Sequence, residues 1–293
     1  MMGYEERLNL YHLVQRDSID QGVMIEFGAF FGASTAAIQA GIKKKNSAAG
    51  LAEFYVVDSF RSSTSSSFTD HVRMHAKNQD AEFLLKEEND FVDFYDCFLE
   101  NVGEPENMHI VRCLLSDFTF VDKPISFMHL DLPKEWSQLK MIVTACFPYL
   151  RVDSIVLFQD FGYQWSAELI AAVGLMLNNG NISVINLVDT TLSVKVEREF
   201  SEQDIGELIR AMSNAEEIIA GIGYSKDVVS PFFSTENRAT VQIAIAQFYF
   251  SIGRISTACE ILSAVLLDCA GNIGIASKVA EILGETFPHR SYE

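Results

Sequence analysis

Short apolar runs alternate with helix-like stretches through the first 200 residues, and this alternation restricts the folds that the chain can form. Runs of this length, bounded by polar residues, are typical of buried strands, and a helix between consecutive strands makes those strands parallel. The runs occupy residues 23–29, 53–60, 108–115, 125–132 and 154–161. The pattern predicts an α/β fold around a mainly parallel sheet.

Two further strands, 182–189 and 191–198, follow each other with no helix between them. So short a connection can join only antiparallel neighbours. The sheet is therefore predicted to be a Rossmann-like, seven-stranded, mainly parallel sheet with a reversed last strand.

Beyond Phe200 the pattern is helical. Residues 238–283 place small and apolar side chains where a tetratricopeptide-like helical hairpin would have them, although an ordinary hairpin gives the same spacing. These residues are Ala246, Tyr249, Gly253, Ala258 and Leu262. The sequence thus predicts a first domain over 1–200 and a small C-terminal helical extension over 201–293. One hairpin cannot bury its own face, so the extension packs on the core or on a partner chain, and a homodimer through the helical tail is one way to cover it.

The segment 61–70 contains five serines and little apolar content. It is predicted to be a mobile loop, either a lid over substrate or a plain connector. Residues 80–101 have aromatic and leucine side chains at steps of three and four residues, which predicts one amphipathic helix.

Charge and hydropathy restrict the partners. The 293 residues include 22 Lys and Arg against 40 Asp and Glu, a net charge of −18. So acidic a surface repels phosphate backbones, and no nucleic acid partner is expected. No apolar run reaches the ~18 residues that would span a membrane, and no signal peptide is seen, so a cytoplasmic location is predicted. Five cysteines without a C-x-x-C pair argue against a zinc site or a disulfide framework.

The stretch V-M-I-E-F-G-A-F-F-G-A-S-T, residues 23–35, reads as a strand that ends in a tight turn and opens a helix. Gly28 and Gly32 let the backbone approach a ligand closely, and Ser34 or Thr35 can cap the helix. In an open parallel sheet, ligands bind beyond the carboxyl ends of the strands. Asp58 ends the second predicted strand, where an acidic residue typically accepts hydrogen bonds from ribose hydroxyls.

Both a nicotinamide dinucleotide and S-adenosylmethionine carry such a ribose, and the turn discriminates between them. A pyrophosphate requires bare backbone N–H groups at the helix start, without a nearby carboxylate. Glu26 stands at the end of the first strand. A carboxylate there repels phosphate but can bind an ammonium group directly or through water. The sequence therefore favours S-adenosylmethionine over a nicotinamide cofactor.

Several segments carry a family resemblance. In chain order they are E-F-G-A-F-F-G-A-S-T, V-V-D-S-F, L-E-N-V-G-E-P-E-N-M-H-I-V, M-H-L-D-L and F-P-Y-L-R-V-D-S-I-V-L-F-Q-D-F. In this order the chain resembles class I S-adenosylmethionine-dependent methyltransferases, most of all the macrocin-type sugar O-methyltransferase branch, over residues 5–200. The resemblance implies a transferase that methylates an oxygen of a small polar acceptor with S-adenosyl-L-methionine as cofactor.

The resemblance also implies which residues bind the methyl donor. They are Glu26, Phe27, Gly28, Ala29, Phe30, Ser34, Thr35, Asp58 and Ser59, with Leu115, Ser116 and Asp117 beside the adenine.

A magnesium ion near the acceptor hydroxyl is implied in the same way, with Asp131, Gln159 and Asp160 as its ligands. Gln159 stands where the family has an aspartate, and Mg²⁺ prefers charged oxygen ligands. The run L-P-K-E-W at 132–136 also departs from the family pattern. An alternative is therefore a non-catalytic S-adenosylmethionine-binding or protein-interaction module with a degenerate acceptor site.

Methyl transfer requires an aligned acceptor and removal of its proton. Asp131 is the candidate base, and the alternative is that it caps a strand or holds the methionine amine. His129 shares the strand face of Asp131 and is predicted to be buried and hydrogen-bonded. His71 and His75 are four residues apart, but no carboxylate motif accompanies them, so surface positions are predicted.

Overall fold

The computed structural model describes residues 2–16, 19, 22–45, 52–120, 122–132, 135–163 and 166–286. The helices are α1 (Tyr4–Leu13), α2 (Ala33–Lys45), α3 (Ser67–Asn78), α4 (Tyr95–Val102), α5 (Trp136–Cys146), α6 (Ala167–Asn178), α7 (Glu202–Ala211), α8 (Ala215–Val229), α9 (Thr235–Ser251), α10 (Ile255–Asp268) and α11 (Ile273–Thr286). The strands are β1 (Val23–Phe27), β2 (Phe54–Asp58), β3 (Arg61–Ser63), β4 (Lys86–Glu88), β5 (Phe91–Asp93), β6 (Met108–Arg112), β7 (Ile125–Leu130), β8 (Leu150–Phe158), β9 (Ile182–Val188) and β10 (Thr191–Val196).

Seven strands form the main sheet, in the order β6-β2-β1-β7-β8-β10-β9. Strand β1 pairs in parallel with β2 and β7, and β2 pairs in parallel with β6. Strand β10 runs antiparallel to β9. The predicted Rossmann-like, mainly parallel sheet with a reversed last strand is confirmed.

The two central strands are buried over their whole length, as strands are when helices cover both faces of a parallel sheet. All five residues of β1 and all six residues of β7 are buried. Charged and polar side chains on these strands therefore lie inside the protein, and Glu26 and His129 are two of them.

The chain divides into two compact units. The first consists of Met1–Leu132 with Thr144–Leu157, and the second of Pro133–Val143 with Phe158–Glu293. The predicted domain boundary at residue 200 stays a prediction, and residues after 286 lie outside the described part of the chain.

Two local predictions in the first unit are wrong. The serine-rich segment is not a loop, because β3, β5 and β4 form a small three-stranded sheet and Ser66 caps α3 by accepting a hydrogen bond from the amide of Phe68. Residues 80–101 are not one helix, because β4 and β5 form a hairpin before α4. Asn89 and Asp90, with φ angles of 49° and 66°, make its two-residue turn, which is the geometry that a hairpin prefers.

The helices α9, α10 and α11 of the second unit share a core of their own. Its buried residues are Ala239, Ile243, Ala246, Ala258, Leu262, Val265, Ile275, Val279 and Ile282. Gly253, with a φ angle of 78°, ends α9 and allows the return into α10. The predicted helical hairpin is therefore present, and its relation to the tetratricopeptide pattern stays a prediction.

No helix in the described ranges combines the length and the apolar character that a membrane-spanning segment needs. The longest, α9, has 17 residues, and a spanning helix needs about 20 apolar ones.

Two glycines of α8 make a matched test of packing in the second unit. A Cβ on Gly221 would lie 2.5 Å from the carbonyl oxygen of Ala171 on α6, whereas a Cβ on Gly223 would meet nothing within 4 Å. We expect Gly221→Ala to lower the free energy of unfolding by roughly 1–3 kcal/mol through overpacking. Gly223→Ala should raise it by about 0.5–1 kcal/mol, since alanine favours the helix. Urea unfolding of both variants checks this, and equal effects would contradict the close contact between α6 and α8.

Candidate functional site

The turn between β1 and α2 is held in a left-handed conformation at three residues. Gly28, Phe30 and Gly32 have φ angles of 86°, 49° and 84°. A Cβ on Gly28 would lie 2.8 Å from the amide nitrogen of Leu132, so this glycine allows the turn to approach the segment after β7. Phe30 is unusual, since side chains disfavour positive φ, and its ring stacks on Phe31 with centroids 4.5 Å apart.

Asp58 lies at the end of β2, where the sequence places it, and its carboxylate binds the turn. One oxygen, Oδ2, accepts hydrogen bonds from the amides of Ala29 at 2.8 Å and Phe30 at 3.1 Å. The other, Oδ1, accepts from the amide of Phe60 at 2.7 Å. A carboxylate has about four acceptor positions, so about one is left for a ligand.

Burial raises the pKa of Asp58 above its usual value, and the nearby charge of Glu26 acts in the same direction. The three backbone N–H groups oppose this by stabilising the carboxylate. The residue is only 8% exposed, and its carboxylate is hydrogen-bonded to the turn on one of its oxygens.

Glu26 lies below the turn and has no exposed surface. Its Oε2 accepts a hydrogen bond from Thr35 Oγ1 at 2.6 Å, and its Oε1 lies 3.0 Å from His129 Nδ1. The register of β1 and β7 pairs Glu26 with His129, and all three residues are 0% exposed. Because Glu26 has no exposed surface, an ammonium group has no direct access to its carboxylate. The prediction that His129 is buried and hydrogen-bonded is confirmed.

The other predicted donor-binding residues lie around this turn in the first unit. Phe27 is buried against Phe118, with ring centroids 5.1 Å apart. Ser34 is buried in the first turn of α2, and Ser59 is half-buried after β2. Leu115, Ser116 and Asp117 form a short 3₁₀ helix after β6, with Leu115 half-buried and the other two exposed. The amide of Cys113 donates to the carbonyl of Asp58 at 3.2 Å, which brings the start of that segment to the end of β2.

Asp131 follows β7 beside the start of the turn. Its amide donates to the carbonyl of Phe27 at 2.8 Å, and the residue is half-buried. This position, beyond the carboxyl end of a central strand, is the one that the sequence predicts.

The predicted magnesium ligands gain no support. The amide oxygen of Gln159, its only candidate ligand atom, accepts a hydrogen bond from Thr191 at 2.7 Å. Within the described ranges no group of three His, Cys, Asp or Glu side chains could hold a metal. Of the run at 132–136, Pro133 and Lys134 lie outside the described residues.

An aromatic cluster beside the turn was missed from the sequence. The ring of Phe30 lies 5.3–5.6 Å from those of Phe68, His75 and Phe94. The predicted surface position of His75 is therefore wrong, and burial lowers its pKa. The signal was present, since Phe68, Val72 and His75 recur at helical spacing along one face of α3.

Comparison with known proteins finds solved methyltransferases at low similarity. The O-methyltransferase NovP is 14% identical with a TM-score of 0.47, over 67% of this chain and 81% of that one. CalS11, a TDP-rhamnose 3′-O-methyltransferase of calicheamicin biosynthesis, is 17% identical with a TM-score of 0.42, over 66% and 80%. Podospora anserina methyltransferase PaMTH1 is 12% identical with a TM-score of 0.37, over 68% and 80%. No protein-family model and no curated protein matches the chain.

Proposed function

We propose that this protein is an S-adenosylmethionine-dependent methyltransferase that transfers a methyl group to an oxygen of a small polar acceptor. One observation carries the proposal: the carboxylate of Asp58 holds the amides of Ala29 and Phe30, in a turn between the first strand and its helix. A turn closed by a carboxylate is unsuited to a pyrophosphate but can accompany a nucleoside with a cationic sulfonium group.

The residues of the first unit fit such a nucleoside. The remaining acceptor position of Asp58 suits a ribose hydroxyl, and we assign the segment Leu115–Asp117 to the adenine because it follows the neighbouring strand β6. Gly28 lets the turn lie close to the backbone of Leu132, next to the candidate base Asp131. S-adenosylmethionine, when bound, supplies a methyl group that is already activated by the positive sulfur.

We assign the removal of the acceptor's proton to Asp131. The bound methyl donor would supply the methyl group and leave as S-adenosylhomocysteine, and the carboxylate of Asp131 would take the proton that the acceptor hydroxyl loses. The half-buried position beside Phe27 allows this carboxylate to reach a ligand while its backbone stays fixed.

A direct binding test comes first. We expect S-adenosylhomocysteine to bind and NADH not to bind, measured by calorimetric titration. At a concentration 100 times its dissociation constant, S-adenosylhomocysteine should stabilise the fold by about 2.7 kcal/mol. Binding of NADH with no binding of S-adenosylhomocysteine would overturn the proposal.

The alternative is a non-catalytic S-adenosylmethionine-binding module, and Gln159 favours it because an amide replaces a carboxylate there. Methyl transfer to a panel of sugars and phenols, run with added MgCl₂ and separately with EDTA, separates the two. Donor binding without turnover on any acceptor would favour the alternative. Turnover in the presence of EDTA would show that the reaction does not need magnesium.

The partners follow from charge. A net charge of −18 disfavours nucleic acid acceptors, so the proposed acceptor is a small molecule. A cytoplasmic location and a homodimer through the helical tail are proposed with it. Leu267 and Ile273, which are 79% and 85% exposed, give that tail an uncovered apolar surface.

A further inference from the structure

We infer that Asp58, and not Glu26, selects the class of nucleoside that binds, because Asp58 occupies the backbone N–H groups that a diphosphate would need. This inference rests on the proposed function, since it concerns the same donor site. It assigns Asp58 a role in specificity that is separate from any contact with ribose.

Four amides of the turn are already used inside the protein. Those of Ala29 and Phe30 donate to Asp58, that of Gly28 donates to the carbonyl of Val57 at 3.0 Å, and that of Gly32 donates to the carbonyl of Ala29 at 2.8 Å. A diphosphate at the start of a helix binds through such N–H groups. Here the carboxylate of Asp58 takes the place that a phosphate oxygen would have.

Charge strengthens the exclusion. A phosphate that approaches the amides of Ala29 and Phe30 also approaches the carboxylate that both amides contact. Like charges at this separation repel, and burial reduces the screening by water. A ligand whose 5′ substituent is neutral or cationic has no need of the two amides and meets no such repulsion.

Glu26 is a poor candidate for the same role. It is 0% exposed, and its two oxygens face Thr35 and His129. Its hydrogen bonds link β1 to the start of α2 and to β7 below the turn. A change at Glu26 should therefore alter stability more than the choice of ligand.

The test compares two ligands that share adenosine and differ only at the 5′ position. Loss of a ribose contact affects S-adenosylhomocysteine and ADP alike and cancels in the ratio of their dissociation constants. Asp58→Ala frees both amides for the phosphates of ADP. We therefore expect the ratio Kd(ADP)/Kd(S-adenosylhomocysteine) to fall roughly tenfold or more, the effect of one charge-assisted hydrogen bond gained by ADP.

Two variants control this result. Asp96→Asn removes one negative charge from α4, where Asp96 pairs with Lys86, and should leave the ratio at the wild-type value. Glu26→Gln should also leave it there. A ratio that stays constant in Asp58→Ala, or that falls equally in Glu26→Gln, overturns the inference.

A second measurement needs no variant. Hydrogen exchange in the unliganded wild-type protein should be slow at the amides of Ala29 and Phe30, because Asp58 holds both. Fast exchange there overturns the inference even if Asp58→Ala does not fold. The proposed function is judged separately, by whether the wild-type protein binds S-adenosylhomocysteine at all.

Discussion

Replacing Asp131 by asparagine is expected to lower kcat by roughly 10²–10⁴-fold, the usual contribution of a general base. Asparagine has nearly the same shape as aspartate but cannot take a proton from the acceptor hydroxyl. The affinity for S-adenosylhomocysteine should stay at the wild-type value, because the link from Asp131 to Phe27 is made by its backbone amide. Single-turnover methyl transfer and calorimetric titration of the same preparation check both parts.

The result distinguishes the roles considered for this residue. Wild-type turnover in Asp131→Asn would exclude the base role. A loss of donor affinity instead of turnover would indicate that Asp131 holds the methionine amine. Asp96→Asn, which removes a carboxylate of the first unit that pairs with Lys86 on β4, provides the reference for a change in charge alone.

Replacing His129 by leucine should lower the free energy of unfolding by about 1–3 kcal/mol, the cost of leaving a buried carboxyl group without one of its hydrogen-bond partners. Glu26 would keep only the hydrogen bond from Thr35 in a site with no exposure to water. Urea unfolding followed by circular dichroism measures the change.

The double variant Glu26→Leu with His129→Leu is the matched control. Replacing both members of a buried pair by apolar residues is often neutral or stabilising, so we expect it to regain most of the lost stability. If the single variant loses less than about 1 kcal/mol, a typical net value for one hydrogen bond, then the pair between Glu26 and His129 is not a strong interaction.

The main sheet could be predicted because its strands are continuous apolar runs that end in recognisable residues. Glu26 is the last residue but one of β1 and Asp58 is the last residue of β2, and the short link between β9 and β10 leaves only an antiparallel pair. These signals are local in sequence, and they survive in the fold because both faces of the sheet are covered.

Two of the features that were not predicted depend on contacts between residues far apart in sequence, and a third has a local signal that was hidden. The burial of Glu26 follows from its register opposite His129, 103 positions along the chain, and no local pattern specifies that pairing. The hairpin over 86–93 has a local signal, the pair Asn89-Asp90, but aromatic residues at three- and four-residue steps hid it. The hydrogen bonds of Asp58 to the turn are likewise a tertiary feature, because 28 and 29 residues separate the partners.

The small sheet of β3, β5 and β4 begins at Arg61, shortly after Asp58 ends β2. Its serines are hydrogen-bonded within a folded layer, as in the contact of Thr69 with Ser62. Ordering the backbone of a residue costs about 1–2 kcal/mol in conformational entropy. In this segment the entropy is lost when the protein folds and not when a ligand binds. A layer that is already ordered by its own hydrogen bonds needs no further ordering when a ligand binds beside it.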